Sequence, residues 1–282
     1  MTSADASPAV IVWWIALSAV SVVNIARWLL VRRELARTPT SEPLASEQRR
    51  MLVFAGVFTF VCAFRSFLPR ADVQRICLVD SWFSTVLVGR FVATLAELSL
   101  MAQVALAVRG AARELGSTAI ARLSFAIVPA IAIAETCSWY AVITRDFIGN
   151  AFEESIWGLT SLVVGSAGLY LARTAAGPLR RFLRICAALA FAHVVFEATI
   201  DVPMYVTRYL ADRAAGASYA GFVDGIRDLA SRWVVTFGWS DWHDELAWMA
   251  LYFSAAVWMS LALVRAPRLW HRSPSPVAPA TA

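Results

Sequence analysis

The sequence contains no lysine: its 25 strongly basic residues are all arginine. Charge of either sign is scarce, at 16% of 282 residues, where soluble domains carry about a quarter. The four cysteines, Cys62, Cys77, Cys137 and Cys186, show no CxxC or other metal-binding spacing, which argues against a thiolate metal site. No GxSxG, P-loop, HExxH or dinucleotide fingerprint occurs. The arginines are spread over several loops, so they read as topology signals and not as a nucleic-acid patch. Arginine in place of every lysine fits a GC-rich bacterial genome, or a preference for fixed charge.

What the chain has in abundance is apolar surface, 59% of its residues. The apolar residues fall in runs of about 20, the length a helix needs to cross roughly 30 Å of hydrocarbon. The runs predict an all-α, polytopic membrane protein: a bundle of seven transmembrane helices within 1–272, with spans over 9–31, 51–68, 82–108, 123–143, 154–172, 185–206 and 246–264. Segments 32–50, 109–122, 173–184 and 265–282 hold 15 Arg, whereas 69–81, 144–153 and 207–245 hold 7. That bias places the N-terminus outside and the C-terminus in the cytoplasm of a cell (inner) membrane, with the lipid bilayer as partner. Trp13, Trp14, Trp82, Trp139, Trp157, Trp239, Trp242 and Trp248 fall near the outer ends, as an interfacial belt would. Met1 to Val10 holds Asp5 and no basic residue, so no cleavable signal peptide is expected. In number and direction of spans the chain resembles the microbial rhodopsins. Their retinal requires a lysine in the last helix, and its absence removes that reading.

The outer segment 207–245 is too polar to cross. Phe222, Ile226, Leu229, Trp233 and Phe237 recur at helical spacing, with Asp224, Arg227, Asp228, Ser231 and Arg232 opposite. This predicts an amphipathic helix over about 219–238, flat on the outer leaflet or packed as a lid. Asn150 with Glu153, and Asp241 with Asp244 and Glu245, look like helix starts for the fifth and seventh spans. Cys77 and Cys137 both lie toward the outer face, where a bridge is one option. The tail 273–282, rich in Pro, Ser and Ala, is expected to be disordered.

Charges inside spans are costly and therefore informative. They are Arg27, Arg65, Arg90, Glu97, Glu135, Glu197 and Asp201. Arg27 lies near an inner end and can snorkel to the interface. Counting helical rise from flanking arginines puts Glu97, Glu135 and Glu197 near the midplane, each about 15–18 Å from a flank. His193, Glu197, Asp201 and Tyr205 recur every four residues along one side of the sixth span, and Arg90, Thr94 and Glu97 share a side of the third. Pro203 cannot donate a backbone hydrogen bond, so a kink is expected beside these acids. Four acids against Arg65 and Arg90 leave an excess of negative charge, which protons or a cation must neutralise.

The first expectation is an acid–base enzyme acting on a lipid or isoprenoid-like molecule. Glu197 and Asp201 would exchange protons, and Glu135 and Glu97 would tune them. Arg65 and Arg90 would hold an anionic head group, and Trp139, Tyr140 and Tyr205 would line the cavity. The site would open to the outer face. A metal set of His193, Glu197 and Asp201, completed by Glu97 or Glu135, is also compatible with the spacing, and no cofactor is specified. The alternatives are a proton- or cation-coupled transporter, and a sensor or assembly subunit whose polar network only fixes packing.

Overall fold

A computed structural model describes residues 6–271. The first 5 residues and the tail from 272 lie outside the described residues, so the expectation for 273–282 is not addressed. The helices are α1 (Pro8–Arg37), α2 (Glu42–Phe67), α3 (Val86–Glu114), α4 (Thr118–Leu123), α5 (Ile127–Thr144), α6 (Phe147–Thr174), α7 (Gly177–Phe196), α8 (Val202–Ala214), α9 (Phe222–Ser231), α10 (Trp239–Leu251) and α11 (Val257–Leu263). Among the described residues, seven helical segments are long and apolar enough to cross a membrane, which fits a multi-pass membrane protein. They are α1, α2, α3, α4 with α5, α6, α7 with α8, and α10 with α11.

Each segment overlaps a predicted span but runs beyond most of its edges. An apolar run measures only the hydrocarbon-facing part, and a helix continues into the polar interface for as long as its backbone hydrogen bonds hold. In α1 the buried positions Val10, Leu17, Asn24 and Val31 fall seven apart, forming one stripe. Val12, Ile15, Val22, Val23 and Leu30 on the other side are exposed, as a lipid-facing surface would be. Helix α3 sits centrally, packed on α2, α5, α6 and α11. Its buried face is rich in small residues (Gly89, Ala93, Ala96, Ala107, Gly110 and Ala111), which lets neighbouring backbones approach.

The seventh span is tied in by polar side chains. Asn24 donates to the Phe253 carbonyl at 2.9 Å, and Trp258 donates to Asn24 Oδ1 at 2.8 Å. Gln103 donates to the Met51 carbonyl at 2.9 Å and to the Ser260 carbonyl at 3.2 Å. Interhelical bonds of this kind contribute about 0.6–2 kcal/mol each in a membrane. The sixth span, by contrast, packs along α6 and presents a broad apolar outer side that includes Leu189, Val195, Ile200 and Leu210.

At one end of the bundle, strands β1 (Arg70–Ala71), β2 (Ile76–Cys77) and β3 (Val234–Val235) form a small sheet in the order β1-β2-β3. β1 and β2 pair antiparallel, and β2 and β3 pair parallel. The amphipathic segment is therefore shorter than expected, because its continuation at 234–235 pairs with β2 instead of staying helical. Helix α9 packs on α5 and α3. Leu229 is buried, and a Cβ on Gly225 would sit 2.2 Å from the Ile143 carbonyl oxygen, so only glycine permits this approach. Asp228 points inward and pairs with Arg75, with Arg145 at 2.7 Å and with Arg232 at 2.7 Å. Cys77 and Cys137 are both free thiols, so the optional bridge does not form.

Two helix starts differ from expectation. Helix α6 begins at Phe147, capped by Asp146, whose side chain accepts from the Ile148 N–H at 3.0 Å. Asn150 and Glu153 are therefore inside the helix and do not cap it. Helix α10 begins at Trp239 after Gly238; Asp241 lies in its first turn and accepts from the Thr236 hydroxyl.

Candidate functional site

The sequence-derived acids divide between two groups, each completed by a glutamate of α6. The first lies between α3, α5 and α6. Arg90 Nη2 donates to both carboxylate oxygens of Glu135, at 2.9 and 2.8 Å. The same nitrogen lies 3.3 Å from Glu97 and 3.5 Å from Glu153. Thr94, one turn from Arg90, donates its hydroxyl to Glu135, and the Trp139 indole donates to Thr94 Oγ1 at 3.2 Å. Asn150 donates to Glu153 at 3.2 Å. The spacing along α3 thus does what its periodicity requires: Arg90, Thr94 and Glu97 reach one face and meet α5 there. One guanidinium faces three carboxylates, so with all ionised two negative charges lack a partner. Such a group is stable only if protons or another cation make up the difference.

The second group lies between α6 and the sixth span. Glu154, Glu197 and Asp201 bring one carboxylate oxygen each to within 4.8 Å of the others. Residues Glu197–Asp201 form a π turn between α7 and α8, in which the Val202 N–H donates to the Glu197 carbonyl five residues back. Pro203, with no N–H to offer, lies two residues beyond the turn, so the expected helix disturbance takes the form of a widened turn. His193 Nε2 is 3.1 Å from Glu197, and its Nδ1 is 3.1 Å from the Ser161 hydroxyl. Trp157 meets the imidazole edge-on at 6.1 Å. Glu197 approaches α6 at Gly158, where an added Cβ would lie 3.2 Å from the Glu197 Cβ.

The remaining sequence candidates are more scattered. Arg65 is buried but pairs with neither acid group; its guanidinium lies 5.6 Å from the Phe253 ring and 6.0 Å from that of Trp248. Tyr140 is exposed and donates to Asp146 at 3.2 Å. Tyr205 stacks on Phe147 at 6.3 Å, with Arg208 over both rings. Arg27 lies exposed on α1. Trp139 and Tyr140 do share a cavity: an open groove of about 420 Å³, lined also by Leu87, Ile143, Phe222 and Ile226. Its two threonines, Thr136 and Thr144, turn their hydroxyls back onto their own helix carbonyls, so the groove wall is apolar.

Outside the spans, Arg70 and Asp72 form a further buried pair at 2.7 Å. Burial alone would push the Asp72 carboxyl up, but Arg70, Arg65 and Arg90 outweigh it and hold it below the usual aspartate range.

Comparison with known proteins gives no match: no family model, no curated protein and no solved structure matches the chain. Function must be argued from the geometry itself.

Proposed function

We propose that the chain is a multi-pass protein of a bacterial cell membrane, N-terminus outside, that carries out acid–base chemistry on a lipid or isoprenoid-like molecule. The arginine bias supports the orientation, because the arginine-poor segments are those that form the sheet and the α9 lid. The observation that carries the chemical reading is the adjacency of an apolar groove to the Arg90 group. Trp139 forms part of the groove wall and is connected to Glu135 through the Thr94 hydroxyl. A groove of about 420 Å³ is of the size that takes a small apolar ligand.

In this reading the apolar chain lies against Trp139, Tyr140 and Phe222 under the α9 lid. A proton passes between the ligand's reacting end and the Glu97–Glu135–Glu153 set, whose shared charge is buffered by Arg90. A neutral carboxylic acid in a dry site donates, and its ionised neighbour takes a proton back. Arg90 is already committed to three carboxylates, so it serves the acids and not an anionic head group.

The test uses purified full-length protein in D₂O with farnesol and with an extract of the host membrane lipids. After back-exchange into H₂O, mass spectrometry should find a bound apolar molecule that retains carbon-bound deuterium. Glu135→Gln should retain the molecule without the exchange, and Trp139→Ala should lose the molecule. Absence of any bound chain, or exchange that survives in Glu135→Gln, removes the reading.

A second reading, a cation-coupled transporter, draws on acids from four spans and on the π turn in a peripheral helix. It requires flux into proteoliposomes, which the first reading does not.

A further inference from the structure

The second acid group is not needed for the chemistry proposed at Arg90, and its composition is unusual in another way. Three carboxylates converge, yet among the described residues no arginine comes within 4 Å of any of them. His193 is the one basic side chain in contact, at 3.1 Å from Glu197. The Arg90 group has a guanidinium at its centre; this group has none.

Glu197 adds an independent observation. Its side chain is 4% exposed, and its Oε2 is buried with no hydrogen-bond partner among the described residues. A buried carboxylate oxygen without a donor forfeits solvation and gains nothing in return, unless something absent from the protein chain faces it. The oxygen belongs to the residue that opens the π turn, and turns of this kind occur frequently at functional sites. Glu154 and Asp201, the other two members, are only partly buried, so the site has a route of entry.

We propose that Glu154, Glu197 and Asp201 bind a divalent cation between the fifth and sixth spans. Three carboxylate oxygens suit a hard divalent cation such as magnesium, manganese or calcium. The Ser161 hydroxyl lies at His193 Nδ1 and the ring's Nε2 meets Glu197, so the imidazole orients that ligand from outside the set. A 2+ charge also resolves the charge imbalance that three carboxylates create in a low-dielectric interior. The cation joins the fifth span to the peripheral sixth span, whose packing partner in the bundle is α6.

The experiment is a titration of EDTA-stripped full-length protein in detergent with Mn²⁺ alone, followed by electron paramagnetic resonance of the free ion. One Mn²⁺ per chain is expected. Glu197→Gln and Glu154→Gln should each weaken binding at least tenfold, and Glu135→Gln, in the other group, should not. Mn²⁺ should raise the unfolding temperature of the wild-type chain and leave that of Glu197→Gln unchanged. If Glu197→Gln does not fold, Asp201→Asn, at a more exposed position, gives the same comparison. Stripped wild-type protein that does not bind Mn²⁺ overturns the proposal. So does binding that survives the substitutions at positions 154 and 197, or binding that falls equally with Glu135→Gln. Failure of this experiment leaves the deuterium exchange at Glu135 unaffected, so the two proposals stand or fall separately.

Discussion

Two groups of three carboxylates lie on either side of α6, and they are balanced in opposite ways. Around Arg90, one fixed guanidinium is held by glutamates from α3, α5 and α6. Around Glu197, the chain supplies acids and an imidazole but no permanent positive charge. In the first arrangement the chain itself supplies one of the positive charges that three carboxylates need. In the second it supplies none that is permanent, and protons or an ion from outside must make up the whole. Adjacent residues of one helix, Glu153 and Glu154, thus serve two different electrostatic designs, because neighbours on a helix point about 100° apart.

The sharpest way to break this comparison is to remove the guanidinium. Arg90→Met leaves three buried glutamates facing each other, and stripping one partner from a buried ionic group costs about 3–5 kcal/mol. Thermal unfolding in detergent should show a large loss, or no folded protein at all. Glu197→Gln, measured without added metal, should be neutral or stabilising, because it removes a charge that has no fixed counterpart. Equal losses for the two substitutions would mean that the groups are not balanced differently.

A smaller effect is expected at the balanced pair outside the spans. Asp72→Asn removes a charge-assisted bond to Arg70, worth about 2 kcal/mol, from two side chains that are 10% and 1% exposed. Because the folded protein holds the Asp72 carboxyl below its usual range, this contribution is fully present above an unfolded value of about 3.9. It fades as pH falls from there through the lower folded value. Unfolding temperatures of wild type and Asp72→Asn should therefore differ at pH 6 and converge in strong acid. A gap that widens below pH 4 would contradict the assignment.

The sequence makes the paired group partly visible and the unpaired one less so. Seven apolar runs of about 20 residues leave little freedom in counting spans, and the Arg90–Thr94–Glu97 periodicity points to one face of α3. Glu153 and Glu154 are hidden by a different physical fact. Asn150 followed by Glu153 is an acceptable helix start, and an apolar-run criterion opens the fifth span only at 154. In the structure the connection from α5 to α6 is just two residues: Arg145, in the left-handed conformation at φ 65°, and the cap Asp146. So short a turn draws the next two helical turns, with both glutamates, into the bundle. Asp146 directly after Arg145 is the available signal, since an aspartate caps a helix as well as an asparagine does and stands four residues earlier. The fate of 219–238 was similarly beyond local periodicity, because the pairing of Val234 and Val235 with β2 is a contact with residues far away in sequence.

The smallest expected effect probes how the unpaired group is held against α6. Gly158 lies one turn beyond Glu154 and faces the Glu197 Cβ, where a methyl group would sit at 3.2 Å. That distance is tight but not forbidding, and the facing segment is the π turn, whose hydrogen bonds are already irregular. Gly158→Ala should therefore cost about 1 kcal/mol or less in stability, because the overpacking is offset by the helix propensity gained from replacing glycine. Its effect on the ion should be larger than its effect on the fold: a shift of Glu197 by a few tenths of an ångström separates it from Glu154 while leaving Arg90 and its three partners in place. Mn²⁺ affinity should fall several-fold with little change in unfolding temperature. The same substitution should leave deuterium exchange at the Arg90 group untouched. Loss of exchange without loss of Mn²⁺ affinity would show that the α6 contact governs the wrong group, and that the division between the two sides of the helix does not hold.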